Sequence, residues 1–133
     1  MIAETRVAIE HEGDIVLARQ KGRELAAASG LSRTEQTLIA TAISEVARNI
    51  VVYATRGEVV VGLVEHRGRR GLMVVARDEG PGIANPELAM REGYSTANSL
   101  GMGLPGARRL MDEFELESTV GKGTTVTMKK WVP

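Results

Sequence analysis

The chain has 133 residues, 43% hydrophobic and 26% charged, and its 17 Lys and Arg balance its 17 Asp and Glu. That length holds one domain with its own core, and a net charge of zero argues against a nucleic-acid binder working through bulk charge. With no cysteine, disulfides, thiolate zinc sites and thiol nucleophiles are excluded, and the 3% of aromatic residues are too few for base-stacking platforms.

Residues 5–10 alternate polar and apolar side chains and predict a first strand. A helix follows, capped by Asp14, carrying Ile15, Val16, Ala18, Leu25 and Ala26 and reaching about Ser29, with Gly30 ending it. Ser32-Arg33-Thr34-Glu35 fits the capping box, in which a hydroxyl and a carboxylate satisfy orphan helix amides. It predicts a long helix to about Ala54, with Leu38, Ile39, Ala42, Ile43, Val46, Ala47 and Ile50 as its apolar stripe. Residues 59–65 read as a strand and residues 67–71 as a hairpin turn. Residues 72–76 form a near-continuous apolar run, the pattern of a central strand buried on both faces.

From Asp78 to Gly106 the chain is rich in Gly and Pro and loop-like, with a short helix near residues 87–91. An irregular stretch of that length is functional or mobile. Pro105 suits the first turn of a helix running to about Met111 or Asp112. Strands at residues 114–119 and 124–131, joined by Gly121-Lys122-Gly123, close the chain. The order predicts an α+β fold, a two-layer sandwich in which a mixed sheet carries helices on one face. The apolar stretches are strand-sized and the N-terminus has no signal-peptide pattern, so a cytoplasmic protein without a membrane span is expected.

Several groups of residues could do chemistry. Glu45 and Asn49 are four apart on one helix face, at the edge of the apolar stripe. They line a pocket, or they are a boundary pair solvated at the helix flank. Asp78 follows the apolar strand at once, with Gly80 and Gly82 behind it. An Asp fixed there can accept from an amino group, and the glycines let backbone approach a flat ligand; a tight turn explains the same residues. Gly101-Met102-Gly103-Leu104-Pro105-Gly106 matches G-x-G-x-x-G, yet no strand precedes it, so a Rossmann site is rejected. What remains is a glycine-rich loop presenting free amides to an anion at a helix start, or a flexible linker. Gly121-Lys122-Gly123-Thr124 is not a P-loop, because Gly follows the Lys. His11 and His66 stand in no metal-ligand spacing and are expected at the surface.

Together, E-x-x-x-N on a helix, D-x-G-x-G after a strand, G-x-G before a helix and G-x-G-T before the last strand resemble the GHKL ATPase superfamily. The likeness runs over about residues 32–130. At this length, with Glu45-Val46-Ala47-Arg48-Asn49, Gly93-Tyr94-Ser95-Thr96 and the run from Gly103 to Phe114, the chain looks most like the anti-sigma-factor serine/threonine kinases, the stressosome switch kinases among them. The resemblance implies the Bergerat ATP-binding fold over residues 1–133 as one domain, with ATP and Mg²⁺ as cofactors. Glu45 would be the general base and Asn49 a Mg²⁺ ligand. Asp78 would receive the adenine amino group, with Gly80 and Gly82 close to the purine. Gly101 and Gly103 would give amides to the phosphates, with Ser95 to Ser99 as a lid. Thr124 would join the adenine contacts, directly or through water. Asn98-Ser99 departs from the glycines expected before Leu100-Gly101, within that lid. Arg48, Arg91, Arg108 and Lys122 are further phosphate contacts or solvated charges. The implied partners are STAS-domain substrates in a stressosome-like assembly and a PP2C-type phosphatase, with no nucleic acid and no membrane. The alternatives are a direct anti-sigma factor and a nucleotide-gated binding module without catalysis.

Overall fold

The computed structural model describes residues 1–90 and 103–133. The chain runs β1 (Ile2–Ile9), α1 (Glu12–Ala28), α2 (Arg33–Asn49), β2 (Gly57–His66), β3 (Arg69–Asp78), α3 (Pro86–Ala89), α4 (Gly103–Leu110), β4 (Glu113–Thr119) and β5 (Gly123–Trp131). The α+β architecture matches the expectation, with five strands in the order β1-β2-β3-β5-β4.

The sheet itself corrects one expectation. It is antiparallel at every pairing, not mixed. The reason lies in the connections. A single helix between neighbouring strands returns the chain to a parallel start, whereas the α1–α2 pair reverses it once more and brings β2 in antiparallel to β1. The β2–β3 hairpin turns at Arg67 and Gly68, both at positive φ (52° and 80°), the backbone of a two-residue primed turn.

One sheet face carries the helices. Val7, Ile9, Val59, Val61, Leu72, Val74, Ala76, Val126 and Met128 point into it against Ile15, Ala18, Ile39, Ile43, Val46 and Ala107. β3 is the middle strand, as expected, but it is not buried on both faces. Leu72, Val74 and Ala76 meet the helices, while Met73 and Val75 on the other side stay half-buried.

Two helix ends also differ from the sequence expectation. Asp14 does not cap α1 from outside. His11 is the N-cap, and the Asp14 carboxylate, one turn in, accepts from the backbone N–H groups of Glu10 (2.8 Å) and His11 (2.9 Å). At α2, Ser32 and Glu35 form the expected reciprocal box, at 3.2 and 3.0 Å. The α-helix stops at Asn49, however, and residues Ile50–Ala54 wind as a turn of π-helix before Thr55 breaks out at φ 73°. Arg33–Ala54 is long and apolar enough by composition to cross a bilayer. Here it is the core helix, with Ile39, Ala42, Ile43, Val46, Ala47 and Ile50 at most 2% exposed.

α4 starts at Gly103, two residues before Pro105, and both its ends are tied to other elements. The Lys130 ammonium donates to the Leu110 carbonyl at 3.0 Å, a favourable cation at a helix C-terminus. At the other end the Gly103 N–H donates to the Glu45 carboxylate of α2 at 3.0 Å.

Candidate functional site

A cavity of about 180 Å³ opens between the end of α2, the ends of β3 and β5, the loop after β3 and the start of α4. Its walls include Asn49, Tyr53 and Ala54 from the helix end and Asp78 and Thr124 from the sheet. Pro81, Gly82 and Ile83 from the loop, with Leu104 of α4, complete them. Four residues singled out in the sequence, Asn49, Asp78, Gly82 and Thr124, thus meet here from four separate segments.

Sheet register brings two of them together. Asp78 pairs with Thr124 across β3 and β5. Asp78 is half-buried and its Oδ1 accepts the Gly80 N–H at 2.9 Å, which restrains the carboxylate's rotation. Thr124 is only 6% exposed.

Two glycines explain how the surrounding loops close. Gly82 has φ 77° and a Cβ there would meet the Thr119 carbonyl; Gly123 has φ 129° and a Cβ would meet the Asp78 carbonyl. Both positions combine a conformation that L side chains rarely adopt with no space for one. The loop after β3 and the β4–β5 turn therefore lie back to back, joined by the Gly121 N–H donating to the Pro81 carbonyl at 2.8 Å. Gly80 does not line the cavity. A Cβ on it would press on Ala54 of the π-helical turn at 2.6 Å, so that glycine allows the loop to pack on the helix end.

Glu45 and Asn49 part company. Asn49 lines the cavity. Glu45 is buried, 7% exposed, and held at the start of α4 by the Gly103 N–H. Carboxylate at a helix N-terminus is a favourable arrangement, since it satisfies an orphan amide and faces the positive dipole end. Gly103 is the first residue of α4, while Gly101 and the Ser95 to Ser99 lid lie outside the described residues. Arg48 pairs with Glu12 at the start of α1 (3.5 Å), Lys122 and Arg108 are exposed, and Arg91 lies outside the described residues.

The sequence reading missed Tyr53, Ala54, Ile83 and Ser118. The first two reach the cavity through the π-helical turn, for which residues 50–54 carry no local signal. Ser118, on β4, stands behind Thr124 with its Oγ 2.8 Å from the Thr124 Oγ1, and also receives the Ile83 N–H at 2.7 Å. An alternating strand such as β4 gives no hint of that position.

The residues present suit a magnesium–nucleotide ligand. Among the described residues no three His, Cys, Asp or Glu side chains converge to hold a metal. A metal in this cavity would take an amide oxygen from Asn49 and the rest of its shell from phosphate and water, a habit of Mg²⁺. The apolar walls and the acceptors at the closed end suit a purine bearing an amino group.

Comparison with known proteins agrees with this geometry. Residues 10–130 match the histidine kinase-like ATPase domain. The chain is 48% identical to the serine/threonine-protein kinase RsbT of Bacillus subtilis over 126 residues, 95% of each chain. It is 38% identical to an anti-sigma F factor of Geobacillus thermodenitrificans over 105 residues, 74% of this chain and 70% of that one. An anti-sigma F factor of Caldanaerobacter subterraneus is 35% identical over 100 residues, 71% of this chain and 68% of that one. The chain belongs to the histidine kinase-like ATPase domain family, among its ATP-using serine/threonine kinases.

Proposed function

We propose that residues 1–133 act as one domain that transfers the γ-phosphoryl group of Mg²⁺–ATP to a serine or threonine of a STAS-domain anti-sigma antagonist, in a stressosome-like cytoplasmic assembly. Once released, the kinase would activate a PP2C-type phosphatase, completing a partner switch. The observation that carries this reading is the convergence of Asn49, Asp78, Gly82 and Thr124 on one cavity.

In this reading each residue has one task. Asp78 Oδ2 accepts from the adenine amino group and Thr124 supports it from the next strand. Gly82 brings the loop backbone against the purine, and Gly80 lets that loop pack on the helix end. Asn49 holds Mg²⁺ through its amide oxygen. Gly103, the first residue of α4, and Gly101 give amides to the phosphates. Glu45 takes the proton from the substrate hydroxyl as its oxygen bonds to the γ-phosphorus and the bond to the β–γ bridging oxygen breaks, releasing ADP. Such transfer depends on positioning and charge more than on covalent help from the protein.

The experiment is direct. The protein is incubated with labelled ATP, Mg²⁺ and candidate STAS-domain proteins, and label is sought on Ser or Thr. Label on none of them, with nucleotide bound, would defeat the substrate assignment. A second reading has its own support: relatives named anti-sigma F factor are 33–38% identical over about 70% of the chain. In that reading the chain holds a sigma subunit directly. Pull-down with a sigma subunit against pull-down with a PP2C-type phosphatase separates the two, and the 48% likeness over 95% of the chain to a protein named serine/threonine-protein kinase supports the first reading.

A further inference from the structure

We infer that Ser118 is a specificity-determining positioning residue: it takes the hydroxyl proton of Thr124, so that the closed end of the cavity presents acceptors only and selects a 6-amino purine over a 6-oxo purine. The inference rests on reading the cavity as an adenine site and adds a residue that does not itself line it.

The argument is a count of hydrogens. Ser118 Oγ has one hydrogen and three polar neighbours: the Ile83 N–H at 2.7 Å, the Gly123 carbonyl at 3.1 Å and the Thr124 hydroxyl at 2.8 Å. An N–H can only donate and a carbonyl can only accept. Ser118 therefore receives from Ile83 and gives its hydrogen to Gly123. The remaining contact can form only if Thr124 donates to Ser118. The Thr124 proton is then turned back into the protein, and the oxygen faces the cavity as an acceptor.

The same logic applies at its neighbour. Asp78 Oδ1 is taken by the Gly80 N–H at 2.9 Å, and an ionised carboxylate donates nothing. Thr124 Oγ1 and Asp78 Oδ2, paired across the sheet, thus both ask for a donor from the ligand. An amino group supplies one. A 6-oxo group meets lone pairs on both sides, and a site built to accept from an amino group rejects the analogue lacking it. Ser118 also ties the loop after β3 to the β4–β5 turn, so it stands where the cavity's two loops join.

The test compares ATP with inosine triphosphate, which differs in carrying a 6-oxo group and N1–H. Binding of each is titrated for the wild type, Ser118→Ala, Ser118→Thr and Thr124→Val. Freed of Ser118, the Thr124 hydroxyl can rotate and donate to the 6-oxo group. Ser118→Ala should lower the ATP-to-ITP affinity ratio by roughly 3- to 10-fold, the worth of one neutral hydrogen bond. Ser118→Thr should restore it, and in a Thr124→Val background Ser118→Ala should leave the ratio unchanged. A merely structural role would weaken both nucleotides together and leave the ratio alone, which would overturn the inference. If the wild type binds no adenine nucleotide, the adenine-site reading falls with it. Should Ser118→Ala fail to fold, the wild type still decides. A Thr124 hydroxyl proton visible by NMR, in contact with Ser118, supports the arrangement, and one in fast exchange with water overturns it.

Discussion

Replacing Glu45 by Gln and by Ala separates the contact that the structure gives this carboxylate from the general-base role proposed for it. Its Oε2 accepts the Gly103 N–H at 3.0 Å in surroundings that leave Glu45 only 7% exposed. Glu45→Gln keeps an oxygen that can accept from Gly103 but takes no proton at neutral pH. Glu45→Ala removes both functions and leaves a buried N–H without this partner, at a cost of about 1–3 kcal/mol. For a domain of this size that is a melting-point gap between the two variants of roughly 3–15 °C. Phosphoryl transfer should fall alike in both, by about 10²–10⁴-fold, the usual worth of a positioned general base. Thermal unfolding followed through Trp131, the one tryptophan in the sequence, gives the first quantity. Single-turnover phosphorylation at saturating Mg²⁺–ATP gives the second. Wild-type transfer by Glu45→Gln would mean that the base lies elsewhere. Equal melting points for Gln and Ala would mean that the bond to α4 contributes nothing in solution.

Other expectations follow from single contacts. Asp78→Asn presents donors where adenine also donates, so ATP affinity should fall by roughly 10- to 150-fold, the loss of one charge-assisted hydrogen bond, and a titration matching the wild type would remove Asp78 from the site. Asn49→Ala should abolish the gain in ATP affinity that Mg²⁺ gives, while binding without Mg²⁺ changes little; a preserved Mg²⁺ effect would refute the metal role. The Asp14 carboxyl is held below its ordinary value of 3.8 by the Glu10 and His11 amides. A depressed folded pKa adds stability that is fully present above the unfolded value and is lost as pH falls through the folded one. Asp14→Ala should therefore lower stability at neutral pH and flatten the loss of stability below about pH 4, as followed by urea unfolding across that range.

The sequence carried most of the fold because its signals are local. The Ser32–Glu35 box marks the start of α2, and the alternation in β5 marks the face toward the helices. The end of α2 was hidden because residues 50–54 are as apolar as the stripe before them. The π-helical turn lies against β2 and β3, and no residue announces it. The run at residues 72–76 misled for a related reason: Met73 and Val75 are apolar, yet no helix covers them. The cavity was half legible. Asp78 and Thr124 lie beside glycine motifs that carry the family resemblance, and that resemblance singled them out. Tyr53 and Ser118 sit inside regular elements, where only the assembled fold gives them a task.

The site has two ends built in different ways, and its behaviour should divide accordingly. The end proposed for the purine is made of paired strands: Asp78 and Thr124 share a register, and Gly82 and Gly123 lock the flanking loops where side chains would collide. Moving either residue's backbone means breaking sheet hydrogen bonds, so this end keeps its shape, and in the proposed reading it sets which base is accepted. The end proposed for phosphate is made by α4, eight residues long, with Gly103 to Ala107 buried and its termini held by Glu45 and Lys130. The amide that anchors it on Glu45 is also one of those assigned to phosphate. In the proposed mechanism a triphosphate that draws the Gly103 N–H toward itself competes with Glu45 for that amide. On the proposed reading, base selection rests on the sheet, and the Glu45–Gly103 contact links phosphate binding to transfer.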